Sequence, residues 1–191
     1  MNPFDADNAD FSKPLDFLFH CHQRIAANLE GLRRAAGDLK VAEPSDIPTV
    51  IETVSGVLTY LSSAGAKHTL DEEVSLFPRI RNHNDDGTEE IFEVLDQLES
   101  QHKRAASIEG RLATMAESLA LIERPDTNSI DLFNDLAESL YDLYKPHIQI
   151  ENEFVFPASA QILTAGEQLE AGKEMYARRR TKIKPLEKGR S

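Results

Sequence analysis

Apolar residues in this chain recur at alternating steps of three and four along four long stretches, residues 15–39, 51–76, 91–122 and 133–154. On an α-helix this spacing brings about one apolar side chain per turn onto a single face. Four helices with one apolar face each can bury those faces against one another. The pattern therefore predicts an all-α fold, a four-helix bundle whose short connections favour up-down-up-down order.

The connections and the chain ends divide the chain into three predicted parts. Loop-forming residues occupy 82–87 and 125–129, and Pro157 is expected to end or kink the fourth helix. The sequence after it permits a short fifth helix around residues 158–171. We expect a flexible N-terminal segment at 1–13, the bundle at 14–172 and a basic C-terminal tail at 173–191.

Charge is unevenly distributed along the chain and narrows the range of partners. The formal net charge is −12, yet the tail at 173–191 holds eight Lys/Arg against two Glu. The rest of the chain is strongly acidic, and such a body repels nucleic acid and anionic membrane surfaces. The tail is expected to be a solvated chain end; the alternative is that it binds something anionic, including the body itself.

Cys21 is the single cysteine of the chain, which excludes an intrachain disulfide and fits a reducing compartment. No apolar run approaches the roughly twenty residues of a membrane span. The acidic N-terminal residues lack the basic-then-apolar pattern of a signal peptide. We therefore expect a cytoplasmic protein that neither spans nor binds a membrane.

Six polar residues lie on the apolar stripes where a plain core would carry none: His22, His68, Glu72, His102, His147 and Glu151. Each alone has an ordinary explanation, such as a hydrogen-bonded core histidine or a glutamate at a wet edge. As a set they differ, because two carboxylates facing one apolar interior are very costly unless cations lie between them. An imidazole and a carboxylate four residues apart leave the same helix face and can bind one metal or two bridged metals.

An internal repeat supports the metal hypothesis. Segments 68–78 and 147–157 both read H-x3-E-x4-F-P, and segments 18–24 and 98–104 both read L-x3-H-x-R. The chain thus resembles one helical hairpin used twice, with each copy supplying one His and one H-x3-E pair. A pseudo-two-fold set of four His and two Glu is what a symmetric two-metal site requires.

The donor types indicate which metal this site would hold. If Glu72 and Glu151 both bridge, each ion receives two imidazole nitrogens and two carboxylate oxygens. One bridging solvent oxygen then leaves about one open octahedral position per ion. Carboxylates and imidazoles without thiolate suit Fe or Mn and permit Zn. An open position on a redox-active metal pair points to O2, NO or peroxide chemistry and not to a purely structural site.

Three other reactive side chains are predicted to lie outside this site. His20 is about 200° round the helix from His22, so the two cannot face the same centre. His83 falls in a predicted loop. Cys21 points about 100° away from His22 and is expected to be a packed thiol.

We also predict the effects of two residues near His147. Pro146 lies inside the predicted fourth helix and is expected to kink it beside the ligand. Tyr144 lies about one turn before His147. It is either a hydrogen-bond donor that orients the site or an aromatic at the edge of the bundle.

The same motifs resemble the hemerythrin-like (HHE cation-binding) family over roughly residues 14–160. The resemblance rests on segment 15–25, on the L-x3-H motif at 98–102 and on the two H-x3-E-x4-F-P segments. It implies a non-haem di-iron centre in a four-helix bundle, with the two Fe ions joined by an oxo or hydroxo bridge. It also implies that the terminal ligands are His22, His68, His102 and His147, and that the bridging carboxylates are Glu72 and Glu151.

Two differences from the oxygen-carrying hemerythrins indicate which subgroup of the family the chain resembles. Oxygen-carrying hemerythrins have H-x3-H on the third helix, whereas Ala106 occupies the second position here. They also have an aspartate five residues after the histidine of the fourth helix, whereas Glu151 follows His147 by four. The chain is therefore more similar to the four-His, two-Glu subgroup, which includes iron-sulfur cluster repair proteins and eukaryotic iron-sensing domains. The cysteine-bearing N-terminal domain typical of the repair proteins is not evident here.

Four functions are compatible with these features. The leading hypothesis is a protein that binds or senses O2, NO or a reactive oxygen species at its di-iron site. The second is a di-iron enzyme with peroxidase, catalase-like or NO-reducing activity. The third is iron storage or donation, including iron-sulfur cluster repair. The fourth, a metal-free helical adaptor, must attribute six buried polar residues to chance. The sequence does not decide whether the protein is an enzyme, and it does not define the oligomeric state.

Overall fold

A computed structural model describes residues 10–84, 88–122 and 125–180 of the 191-residue chain. All regular structure within these ranges is helical, which confirms the predicted all-α class. Several helices are interrupted by wider π-helical segments, labelled π1 to π3. In chain order the elements are α1 (Pro14–Leu39), α2 (Ile47–Tyr60), π1 (Leu61–Gly65), α3 (Ala66–Leu70), π2 (Asp71–Leu76), α4 (Phe77–Asn82), α5 (Glu89–Ala120), α6 (Thr127–Ile150), π3 (Glu151–Val155), α7 (Phe156–Ile162) and α8 (Ala165–Arg180).

These elements build four long helical stretches: α1, the run from α2 to α4, α5, and the run from α6 to α7. The first stretch packs against the second and the fourth, and the third stretch also packs against both. Each stretch therefore lies beside its neighbours in sequence, with the fourth returning to the first. This is the closed cyclic order of a four-helix bundle.

The positions of two separate apolar cores along the chain show in which direction each helical stretch runs. Core A joins the C-terminal halves of α1 and α5 to the N-terminal halves of the second and fourth stretches, at residues 25–39, 105–119, 47–61 and 133–144. Core B joins the opposite halves, at residues 17–21, 91–98, 76–80 and 155–156. Neighbouring stretches therefore run antiparallel, which confirms the up-down-up-down prediction.

Helix α8 covers core B and differs from the predicted short helix at 158–171. The fourth stretch continues through Pro157 to Ile162, and α8 starts at Ala165. Ala171 and Met175 are fully buried in core B. The predicted boundary between bundle and tail at residue 172 lies inside this helix.

The two ends of the described chain meet at α8. The ring of Phe11 lies 4.6 Å from that of Phe17 and 5.4 Å from that of Tyr176. A Cβ atom at Gly172 would lie 1.8 Å from the Phe11 carbonyl oxygen, so this close approach admits only glycine. Residues 10–13 of the predicted flexible segment thus pack on the bundle, and residues 1–9 lie outside the described ranges.

Part of the predicted basic tail belongs to the folded body. Arg178 and Arg179 both pair with the carboxylate of Asp71, which is fully buried in π2. Arg178 also donates to Ser75 Oγ at 3.0 Å. The expectation of a solvated end is therefore wrong for residues 173–180, where the chain binds its own body; residues 181–191 lie outside the described ranges.

Two further findings concern the helices themselves. Helix α6 runs unbroken through Pro146, although the proline removes one backbone donor. Among the described helices, none combines the length and the apolar composition that a bilayer crossing requires.

Candidate metal centre

A layer of buried polar residues separates core A from core B. Along each helical stretch, the six polar residues predicted from the sequence fall between the last residue of one core and the first residue of the other. All six are buried, with side chains at most 6% exposed. The bundle thus brings together, in one layer, His22, His68, Glu72, His102, His147 and Glu151.

The Glu72 carboxylate lies between three imidazoles. Its Oε1 atom is 3.1 Å from Nε2 of His68 and 3.5 Å from Nε2 of His22. Its Oε2 atom is 3.5 Å from Nε2 of His102. The Glu72 carboxylate therefore directs one oxygen at His22 and His68 and the other oxygen at His102.

Glu151 repeats this arrangement from the opposite helix. Its Oε2 atom is 3.1 Å from Nε2 of His22, and its Oε1 atom is 3.2 Å from Nε2 of His147. The imidazoles form two pairs, with ring centroids 4.7 Å apart for His22 and His68 and 4.6 Å apart for His102 and His147. Each carboxylate thus offers one oxygen to each histidine pair, as the internal repeat predicts for a two-fold arrangement.

The donor atoms of this layer lack ordinary partners. All four carboxylate oxygens of Glu72 and Glu151, together with Nε2 of His22, are buried without a hydrogen bond of normal geometry among the described residues. An uncompensated buried carboxylate costs several kcal/mol. Cations placed between these oxygens and the imidazole nitrogens would remove that cost, so the residues fit a metal centre.

Hydrogen bonds on the outer side fix three of the four imidazoles. The Nδ1 atom of His22 lies 2.7 Å from Oδ1 of Asn152, and that of His102 lies 3.0 Å from Oε1 of Glu73. The Nδ1 atom of His147 lies 2.8 Å from Oε1 of a glutamine, Gln101. An oxygen acceptor holds the proton on Nδ1 and leaves the Nε2 lone pair directed into the layer, the arrangement of metal-binding histidines.

In the chain without a cation, the carboxylates and the imidazoles shift one another's pKa values. Burial alone lowers the pKa of His22, but the nearby Glu151 and Glu72 carboxylates outweigh burial and raise this pKa to about 9. Burial likewise acts against ionisation of Glu72, and the neighbouring His68 and His22 nevertheless hold its pKa well below the ordinary value. A metal ion would displace imidazole protons, so metal affinity should increase with pH.

The π-helical segments place the two glutamates. Glu72 lies in π2 and Glu151 begins π3, directly after the α-helical turn that carries the paired histidine. In both, the backbone N–H of the following phenylalanine donates to the glutamate carbonyl five residues back, and the next residue is a proline without an N–H. The wider turn was not predicted, although the repeated F-P ending of the motif is a signal for it.

The phenylalanines of the repeat close the layer on the core B side. Phe77 is fully buried, and Phe156 stacks on the His22 ring at 5.1 Å with an interplanar angle of 13°. Burying such a side chain stabilises the fold by about 1.5–3 kcal/mol. The F-P pair therefore shapes the backbone and seals the site.

The remaining candidate side chains lie around the layer. His20 is exposed, with Nδ1 3.3 Å from Oε1 of Gln23. His83 contacts Glu167 at 2.9 Å. Cys21 is buried, as expected of a packed thiol, and accepts a hydrogen bond from Arg24 at 3.4 Å.

Tyr144 connects the layer to a surface groove through Glu109. Its ring meets His147 edge-on at 5.7 Å, and its hydroxyl donates to Glu109 Oε1 at 3.2 Å. Glu109 in turn lines a groove of about 440 Å³ between the second stretch and α5. Sequence reasoning missed Glu109, because a glutamate one position after a seam residue, here Ile108, is ordinarily solvated.

Glu109 is expected to make stability depend on pH. Burial raises its pKa from 4.5 to about 7, with Tyr144 acting in the opposite direction. The folded state therefore holds this proton more tightly than the unfolded state, and stability is lost as pH rises from about 4.5 through 7. Glu109→Gln should remove this loss, so that the variant gains about 1–3 kcal/mol relative to wild type between pH 5 and pH 8.

The measurement is urea unfolding of both proteins at the two pH values. Glu117→Gln, at an exposed position of the same groove, is the matched control, and its difference from wild type should be the same at both pH values. A pH-independent difference for Glu109→Gln would contradict the assignment of a raised pKa to this carboxyl group.

Comparison with known proteins agrees with this geometry. Residues 13–159 match the Hemerythrin HHE cation binding domain, so the chain belongs to this family. The chain is also 27% identical, over 174 residues, to an uncharacterized protein of Haemophilus influenzae; the match covers 91% of this chain and 94% of that protein. Helix α8 lies beyond the part that matches the family.

Proposed function

We propose that this chain is a non-haem di-iron protein that binds or senses O2, NO or a reactive oxygen species in the polar layer. The observation that carries this proposal is the arrangement of the two carboxylates, which divide their oxygens between two histidine pairs. None of these four oxygens has a hydrogen bond of normal geometry within the part of the chain that the structure describes. One ion would be held by His22 and His68 and the other by His102 and His147. Glu72 and Glu151 would bridge them.

The donor set supports iron over other metals. Imidazole nitrogens and carboxylate oxygens without thiolate suit Fe or Mn, and Zn would also be accepted. When bound, a redox-active ion pair supplies open coordination positions for a small diatomic or peroxide ligand. The chain's own residues keep these positions inside a buried layer between two apolar cores. A free buried thiol, Cys21, is consistent with a cytoplasmic location.

One observation favours an enzyme as the second candidate. A reaction of peroxide or NO consumes or releases protons, and Glu109 offers a carboxyl group whose pKa is raised by burial to about 7. Tyr144 joins this group to the His147 side of the layer. Peroxidase-like or NO-reducing turnover would use this connection, whereas reversible binding would not require it.

The deciding experiment is metal analysis and absorption spectroscopy on protein from iron-supplemented cells. We expect about two irons per chain and near-ultraviolet oxo-bridge bands that change with NO or peroxide. His22→Ala should lose at least half of the iron. His20→Ala, two positions away and exposed, should keep all of it.

Each outcome has a definite meaning. Full iron content in His22→Ala, or a wild-type chain that cannot be reconstituted with iron, would refute the di-iron assignment. Rapid turnover of peroxide by the iron-loaded protein would favour the enzyme over the sensor. Slow turnover with reversible spectral change would support binding or sensing.

A further inference from the structure

Helix α8 binds the segment of the bundle that carries Glu72. It packs against π2 and α1. Arg178 and Arg179 pair with the carboxylate of Asp71, which directly precedes this glutamate in the chain. Arg178 also donates to Ser75 Oγ at 3.0 Å, later in the same segment. Asp71 and Ser75 are both fully buried. Contacts with α8 therefore lie on either side of Glu72 along π2.

A second connection joins α8 to the end of π2 through Arg79. The guanidinium group of this arginine donates to both carboxylate oxygens of Glu174, at 2.7 and 3.1 Å. It also donates to the backbone carbonyl oxygen of Ser75 at 2.6 Å. Such a two-point pair between arginine and carboxylate restricts the orientation of the guanidinium plane. The backbone near the end of π2 is therefore tied to α8 as well.

The second copy of the internal repeat is anchored in a different way. In the first copy, Asp71, Ser75 and Arg79 are polar residues that bind α8. The residues aligned with them in the second copy are apolar and pack against core B: Ile150, Phe154 and Ala158. Glu151 is thus placed by packing inside the bundle, whereas Glu72 depends on ion pairs with a helix that follows the family match.

We propose that α8 positions Glu72 by holding π2 in place, and that it thereby slows the release of metal from the polar layer. The Glu72 carboxylate directs its two oxygens at different histidine pairs, so a displacement of π2 moves one donor atom of each ion. Arg178 and Arg179 are positioning residues in this role, since they act on that carboxylate through Asp71. The effect on metal release rests on the proposed function, whereas the hold of α8 on π2 does not require metal.

The first test is amide hydrogen exchange, measured by NMR on the metal-free full-length chain under native conditions. In Arg178→Met combined with Arg179→Met, exchange at residues 72–77 should accelerate at least about tenfold more than exchange at residues 151–156, because only π2 loses its contacts with α8. Leu112→Ala, a cavity variant in core A, is the control for lost global stability. It should leave the ratio of the two exchange rates unchanged.

A milder variant covers the case in which the double arginine variant fails to fold. Glu174→Gln removes one charge at an exposed position of α8 and leaves both arginines in place. The ratio of exchange rates between the same two segments should rise about two- to threefold. Lys173→Gln, at the neighbouring exposed position, is the matched control and should leave this ratio unchanged.

The second test is the transfer of Co²⁺ from the loaded full-length chain to an excess of chelator, followed by absorption. The double arginine variant should release the ion at least about tenfold faster than wild type, and Glu174→Gln about two- to threefold faster. Leu112→Ala should release it at a rate within about twofold of wild type, because π2 keeps its contacts with α8 in that variant.

Three results would overturn the proposal. These are an unchanged exchange ratio in both α8 variants, faster exchange in π2 without faster metal release, and an equal acceleration of release in Leu112→Ala. A wild-type chain that takes up no metal would refute the proposed function, and the exchange ratio would still decide whether α8 holds π2.

Discussion

Replacing both Glu72 and Glu151 with leucine is expected to abolish metal binding and, at the same time, to stabilise the metal-free chain. The four oxygens of these two carboxylates are buried and face the two histidine pairs. Leucine fills a similar volume without a charge. The same carboxylates raise the pKa of His22, so their removal lets this imidazole lose its proton at pH 8 and leaves it neutral instead of as an unpaired buried charge. Exchanging a buried charged set for neutral, well-packed side chains typically stabilises a protein by about 1–4 kcal/mol.

This prediction is measured by metal analysis and by urea unfolding at pH 8 in the presence of a chelator. We expect less than about 0.2 iron per chain in the double variant and a higher unfolding free energy than for metal-free wild type. Glu93→Leu, at an exposed position of α5, is the control and should change neither quantity. A double variant that keeps its iron would refute the assignment of the bridging carboxylates. A less stable metal-free variant would mean that the carboxylates hold the empty bundle together through the imidazoles.

Removing the two arginines of α8 is expected to destabilise the protein more than any surface substitution. Asp71 is fully buried, and its carboxylate pairs with Arg178 and Arg179. Burial raises the pKa of Asp71, and the two guanidinium groups act against it. Arg178→Met combined with Arg179→Met leaves a buried carboxylate without its partners, which costs about 3–5 kcal/mol.

A double-mutant cycle separates this pairing from simple loss of packing. Adding Asp71→Leu to the two arginine substitutions should recover most of the lost unfolding free energy, because no buried charge is then left unpaired. Arg180→Met, next in the chain but exposed, should change stability by less than about 0.5 kcal/mol. If Asp71→Leu recovers nothing, α8 is held by its apolar contacts and not by these ion pairs.

The fold and the six polar residues were predictable because they rest on periodicity. A histidine or glutamate on an apolar stripe is recognised from its position alone, and the repeat singles out His22 over His20 by register. The oxygen acceptors at Nδ1 were not predictable. Asn152 and Gln101 are ordinary surface residue types, and only the bundle brings each beside a histidine of another helix.

The pairing of α8 with the buried Asp71 was not predictable for a similar reason. Asp71 precedes Glu72 by one residue, so on an isolated helix it points about 100° away from the seam and should be solvated. Its burial depends on a partner about a hundred residues later, Arg178, in a run that by composition is typical of a frayed end. Pairing over such a distance leaves no local pattern in the sequence.

The distribution of the polar layer along the chain has a consequence for the lifetime of the folded protein. Its members extend from His22 to Glu151 and come from all four helical stretches. No partly folded chain that lacks one stretch contains the complete set. A cation bound there stabilises the finished bundle alone and must be released before the helices can separate. Loss of metal would therefore show first as faster unfolding and faster proteolysis, before any change in the helical content of the native state.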